Sequence, residues 1–206
     1  MQNQTRAEPM SAGQMPAIVH WCDWNAEGLE RCHFFSETAD GFTLEGVLIG
    51  TREGHYGAHY LVRTDAHFHT RQVRVTYVGG PCLEVEADGQ GRWWDRLSGE
   101  PLSSLDGCLD VDIGVTPATN TLPIRRLKLA AQASAEIEVA YIPLPSEIAA
   151  QFLPRRARQR YTCLVAGSRY RYDGIPGGFF AELDVDQHGL VLDYPPMFRR
   201  VHGDLR

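Results

Sequence analysis

From Trp21 to Val78 the chain is a succession of short runs in which apolar and polar residues alternate between glycine-containing turns. In the run TRQVRVTYV, Val73, Val75 and Tyr77 alternate with Gln72, Arg74 and Thr76. Successive side chains of a strand point to opposite faces, so the pattern predicts a strand with one dry and one wet face. The runs FTLEGVLIG and HYGAHYLVRT, broken at ADG and REGHYG, repeat the signal and predict an antiparallel sheet. Further strands are expected at PIRRLKLAA, AEIEVAYIPLP, RYTCLVAG, SRYRYDG and GLVLDYPPMFRRV. One short helix is expected over residues 146–153, where Ser146 would cap the start, Glu147 suits the first turn and Pro154 stops it.

Two stretches echo each other. Residues 79–95 (GGPCLEVEADGQGRWWD) align without a gap on residues 177–193 (GGFFAELDVDQHGLVLD), with six identities in seventeen, among them Asp88 with Asp186 and Gly91 with Gly189. Each copy alternates apolar and acidic residues, turns near its aspartate and continues into a second apolar run, which is the layout of a β-hairpin. The match predicts a duplicated sheet. The fold class expected from the residues is therefore all-β and mainly antiparallel, built from two similar halves with one short helix.

Composition changes this picture little. At 206 residues, 43% hydrophobic and 22% charged, the chain has the make-up of one globular domain, expected over residues 16–200 between tails at 1–15 and 201–206. Its formal charge of −6 disfavours nucleic acid as a partner. The polar start and the lack of a long apolar run predict a cytoplasmic protein with no transmembrane insertion. Five cysteines, irregularly spaced and without a CxxC pair, read as reduced thiols rather than a disulfide framework or a zinc site.

Candidate chemistry concentrates in residues 105–127, LDGCLDVDIGVTPATNTLPIRRL. Asp110 and Asp112, two apart, would share a strand face, and Arg125 or Arg126 would pair with one of them. Pro117 and Pro123 would brace a crossing loop whose Asn120, Thr116 and other threonines bond the backbone. No phosphate loop, HExxH or GxSxG motif occurs, so no metal or cofactor is expected and a binder is favoured over an enzyme. Two rivals stand beside the binder: a small hydrolase or isomerase using Asp110, Asp112 and a histidine such as His67 or His69, and a scaffold with a fully packed interior. The basic run RRARQR, with Arg155, Arg156, Arg158 and Arg160, reads as a solvated face after the short helix.

Asp110-x-Asp112 followed by Thr116-Pro117-x-Thr119-Asn120-Thr121-Leu122-Pro123-Ile124-Arg125-Arg126-Leu127, together with the Trp93 hairpin, VAYIPLP, QRYTC and FFAELDVDQHGLVLDYP, resembles the bacterial family called putative glycolipid-binding proteins. The likeness runs from about Trp21 to Arg200. It implies an incomplete antiparallel β-barrel with duplicated halves, similar to lipoprotein-carrier half-barrels, and a lipid or glycolipid ligand on the concave face. The residues then expected at the ligand are Asn120, Arg125, Arg126 and Arg74, with Trp93 and Trp94 as stacking surfaces. Free edges of such a sheet would also admit a homodimer.

Overall fold

A computed structural model describes residues 17–38 and 41–203; the expected tail at 1–15 lies outside the described residues. The chain forms β1 (Ala17–Asp23), β2 (Leu29–Thr38), β3 (Gly41–Gly50), β4 (Tyr56–Asp65), β5 (Thr70–Tyr77), β6 (Cys82–Ala87), β7 (Trp93–Asp95), β8 (Asp110–Ile113), the helix α1 (Thr121–Leu127), β9 (Ser134–Ile142), β10 (Arg155–Val165), β11 (Arg169–Ile175), β12 (Phe180–Val185), β13 (Val191–Tyr194) and β14 (Phe198–His202). The last strand thus continues two residues past the expected domain end. All fourteen strands join one sheet in the order 7-6-5-4-3-2-1-14-13-12-11-10-9-8. Every neighbour is antiparallel except β8, which runs parallel to β9.

The sheet curls but does not close. Its end strand β8 leans back on the start of β5, where the Thr70 amide bonds the Leu109 carbonyl and the Thr70 hydroxyl accepts the Val111 amide at 3.1 Å. The concave side is filled by the chain itself. Leu105, Cys108, Val111, Ile113, Val115 and Leu122, from the stretch that runs through β8 into α1, are at most 2% exposed and pack on Trp21, Phe34, Tyr60 and Val75. These side chains take up space on the concave face that an acyl chain would otherwise occupy. Both ends of the sheet are also stopped: β7 is three residues long and bridged by Pro101, and the outward amides of β8 are taken by Thr70 and Thr119. Such blocking is how sheets avoid edge-to-edge pairing.

The two echoing segments are both hairpins. At each turn the aspartate carboxylate accepts two amides, Gln90 and Arg92 on Asp88, His188 and Leu190 on Asp186. Ala87 opposes Trp93 as Val185 opposes Val191, but then the ladders part: Asp95 faces Val85, whereas Asp193 faces Asp184 across a bulge. The shared feature is the turn with its capping aspartate.

Two local expectations are corrected. Residues 146–153 form no α-helix beyond a 3-10 turn at Pro145–Glu147, because two turns are too short to persist without packing and Glu147 instead bonds Tyr141, the Leu144 amide and Arg155. The α-helix lies at Thr121–Leu127, within a stretch expected to be loop and then strand. Pro123 falls in its first turn, where a missing amide costs nothing, and Leu122 and Ile124 are buried. The arginine run is exposed as expected, but it lies on a strand, β10, that follows a 3-10 turn rather than the expected helix. Its exposed Arg156, Arg158 and Arg160 pair with Glu138 and Glu136 on β9.

Gly46 on β3 is a packing requirement, since the Tyr60 ring lies where its β-carbon would be. Gly46→Ala is expected to cost about 1–3 kcal/mol by overpacking. Urea unfolding checks this, and an unchanged midpoint would show that the ring moves aside freely.

Candidate functional site

β8 is covered on both faces, which explains its composition. Val111 and Ile113 face the main core, so Asp110 and Asp112 face the other way, toward α1 and β10, and must find partners there. Arg126 grips Asp110 with Nε at 3.0 Å and 3.1 Å and Nη2 at 2.6 Å; the carboxylate is fully buried. Burial pushes Asp110 above the usual carboxylate range and the guanidinium restrains the shift. Gln159 donates to Asp112 at 2.6 Å. Burial raises Asp112 to about 6, while Gln159 and then Arg52 hold it down. Beside them the Asn120 amide donates to the Tyr161 hydroxyl at 2.8 Å.

This polar layer forms the floor of a cleft of about 400 Å³. Asp112, Thr116 and Asn120 lie at its base, and Tyr141, Tyr172, Phe179, Tyr194 and Phe198 form its walls. The rings of Tyr172, Phe179, Tyr194 and Phe198 follow one another at centroid distances of 6.1 to 6.3 Å. Burial raises the Tyr172 and Tyr194 phenols, so both remain protonated donors at neutral pH. Arg52, from the turn between β3 and β4, reaches the same cleft, donating to the Gly114 carbonyl and lying 5.9 Å from the Phe198 ring centre. It makes no ion pair among the described residues.

A second cavity of about 340 Å³ adjoins the cleft and shares Arg52, Met197 and Phe198 with it. Trp21, Leu29, Ile49 and Tyr56 line it, together with Glu30. Glu30 is 4% exposed; its Oε1 accepts from the Tyr60 and Thr116 hydroxyls, the latter at 2.7 Å, and its Oε2 has no partner. Burial lifts its pKa to about 7, against the pull of those two hydroxyls.

The residues singled out in the sequence scatter. Asn120 lies in the cleft, but its side chain bonds Tyr161 rather than the backbone. Thr116 and Thr119 do cap backbone amides, those of Ala118 and Ile113, and Pro117 leads into the 3-10 turn at Ala118–Asn120. Arg126 is committed to Asp110. Arg125 borders a separate shallow hollow with Gln187 and Gly189, its guanidinium 5.2 Å from the Phe68 ring centre. Trp93 is 1% exposed and donates to the Cys108 carbonyl, so it offers no stacking face, because its indole fills the core. Trp94 pairs with Glu86 and Pro101 at the sheet end, and Arg74 is exposed opposite Leu61 and Glu84; neither lines the cleft. His69 stands 3.4 Å from Asp65 and 6.0 Å from His67 between ring centres, and no three potential ligands converge on a metal position among the described residues. All five cysteines are free thiols, four of them buried. No helix is long and apolar enough to cross a membrane.

Sequence reasoning missed Arg52 and the aromatic wall. SRYRYDG reads as a strand, but nothing local shows that Tyr172, Phe179, Tyr194 and Phe198 turn to the same space. A crystal structure of a DUF1089 family protein from Pseudomonas aeruginosa, at 1.80 Å resolution, is similar to this chain with 40% identity and a TM-score of 0.71, covering 84% of this chain and 92% of that one. No curated protein matches it. A family model matches residues 18–200, almost the whole sheet including the cleft, and the chain belongs to that family, described as "Putative glycolipid-binding".

Proposed function

We propose that the chain binds the sugar head of a glycolipid in the aromatic cleft. The observation that carries this reading is the division of the cleft into a polar floor and ring-lined walls. A sugar has hydroxyls around its edge and C–H faces above and below, so it needs hydrogen-bonding groups in one plane and flat apolar surfaces across it. Asp112 accepts hydroxyl protons, Arg52 and the tyrosine hydroxyls donate, and Tyr172 and Phe179 supply the flat surfaces. The volume lies in the ordinary range for small-molecule sites. The family description supports a glycolipid as the source of the sugar.

The test is calorimetric titration with methyl glucoside, galactoside and maltoside. Saturable one-to-one binding to at least one is expected, weakened about tenfold by Tyr172→Ala through loss of a ring contact worth about 1.4 kcal/mol. Binding should also strengthen as pH rises through about 6, where Asp112 becomes the ionised acceptor. Equal affinity for wild type and the Tyr172 variant, or no binding of any of the three, would remove the cleft as a sugar site.

A further inference from the structure

A glycolipid has a tail as well as a head, and much of the concave side of this sheet is taken by the side chains of residues 105–122. The outer face is different. Leu29 at the start of β2, Val47 and Ile49 toward the end of β3 and Val78 in the turn after β5 are 52%, 60%, 62% and 80% exposed. They are also contiguous. Leu29 opposes Ile49 across β2 and β3, and Ile49 opposes Gly57 on β4. Val78 packs over Gly57, its Cγ2 3.1 Å from where a β-carbon would be, and its amide bonds the Gly57 carbonyl. Val47 stands two residues from Ile49 on the same face. The strip is bordered by Arg31 and His59, the strand neighbours of Val47.

What covers the strip is indicated by its continuity with the site. Leu29 and Ile49 also line the second cavity, which borders the sugar cleft across Arg52, Met197 and Phe198. An alkyl chain that left the cleft past Met197 and Phe198 would therefore come next to the second cavity and the start of the apolar strip. We infer that this strip on the outer face of β2, β3 and β4 is the docking surface for the alkyl chain of the amphiphile whose head sits in the cleft, an inference that rests on the sugar-binding reading. The chain leaves the cleft through the second cavity and lies across Leu29, Ile49 and Val78, with Arg31 and His59 beside it.

The experiment separates tail from head. Methyl, butyl, hexyl and octyl homologues of the bound glycoside are titrated below their micelle concentrations against wild type, a Leu29→Thr/Ile49→Thr double variant, and a Val165→Thr control whose exposed valine lies in the other half of the sheet. Affinity for wild type and control should rise about twofold to fourfold per methylene, the range for a chain partly to fully withdrawn from water at about 0.8 kcal/mol per CH₂. In the double variant the rise should fall toward none, while methyl glycoside affinity stays unchanged. Equal chain-length dependence in all three proteins, or none in wild type, overturns the tail site and leaves the head site standing. Failure of the methyl glycosides overturns both. Sedimentation showing a dimer that the double variant dissociates would assign the strip to a second copy of the chain and overturn the tail site as well.

Discussion

Replacing Glu30 by glutamine is expected to shift the stability difference between variant and wild type by about 3 kcal/mol in the variant's favour between about pH 4 and about pH 8. Glu30 sits on the inner face of β2 with one oxygen held by Tyr60 and Thr116 and the other unpartnered. Its folded pKa, about 7, lies above its ordinary value of 4.5. Below 4.5 both states hold the proton and no penalty arises. As pH rises through the window the unfolded chain releases its proton first, so the stability associated with the neutral carboxyl is lost, completely above the folded value. Glutamine keeps the shape without the ionisation, whatever constant cost its amide adds. Urea unfolding of both proteins across the range measures the difference. A difference that does not change with pH would show that Glu30 ionises in the folded state as easily as in water.

The second large effect is expected at Arg126. Methionine in its place keeps most of the side-chain stem and removes the charge, leaving Asp110 wholly buried without its three hydrogen bonds. Breaking one side of a buried pair costs about 3–5 kcal/mol, mainly as the penalty of the stranded charge. Adding Asp110→Asn to Arg126→Met should recover a substantial part of the loss. Chemical denaturation of the four proteins of the cycle gives the coupling directly, and strict additivity of the two single effects would mean that the pair contributes no interaction. The same pair joins β8 to α1, so Arg126→Met is also expected to loosen the floor of the cleft.

How much of this was legible beforehand differs by element. The period-two alternation in TRQVRVTYV and AEIEVAYIP identified β5 and β9, because a strand half-covered by core must alternate. The turn aspartates Asp88 and Asp186 identified both hairpins, since their capping needs only residues two and four places on. That Arg125 or Arg126 pairs with one of Asp110 and Asp112 was legible in the sequence, but which of each was not; the structure pairs Arg126 with Asp110. The position of α1 was not legible. Seven residues carry too little periodicity to separate a helix from a buried loop, and Leu122 and Ile124 gain their helical packing only from β8 and the surrounding core.

The site was the least legible part. Asn120 was found because its motif is distinctive, whereas Arg52, Tyr172, Phe179 and Phe198 are spread over nearly 150 residues and converge only when the sheet curls. Trp93 and Arg125 had suitable chemistry for ligand contact, but their directions were decided by packing, one into the core and the other across Phe68. The sequence by itself determined most of the strands and their turns, and that an arginine would answer one of the two aspartates, all of which depend on neighbours a few residues away or on the demand that buried charge be matched. Only the tertiary structure decided that side chains of residues 105–122 pack on the concave face and that the aromatic cleft lies beside them. The reason is geometric: the curl of a sheet is a sum of small twists over fourteen strands, and no local stretch carries that sum.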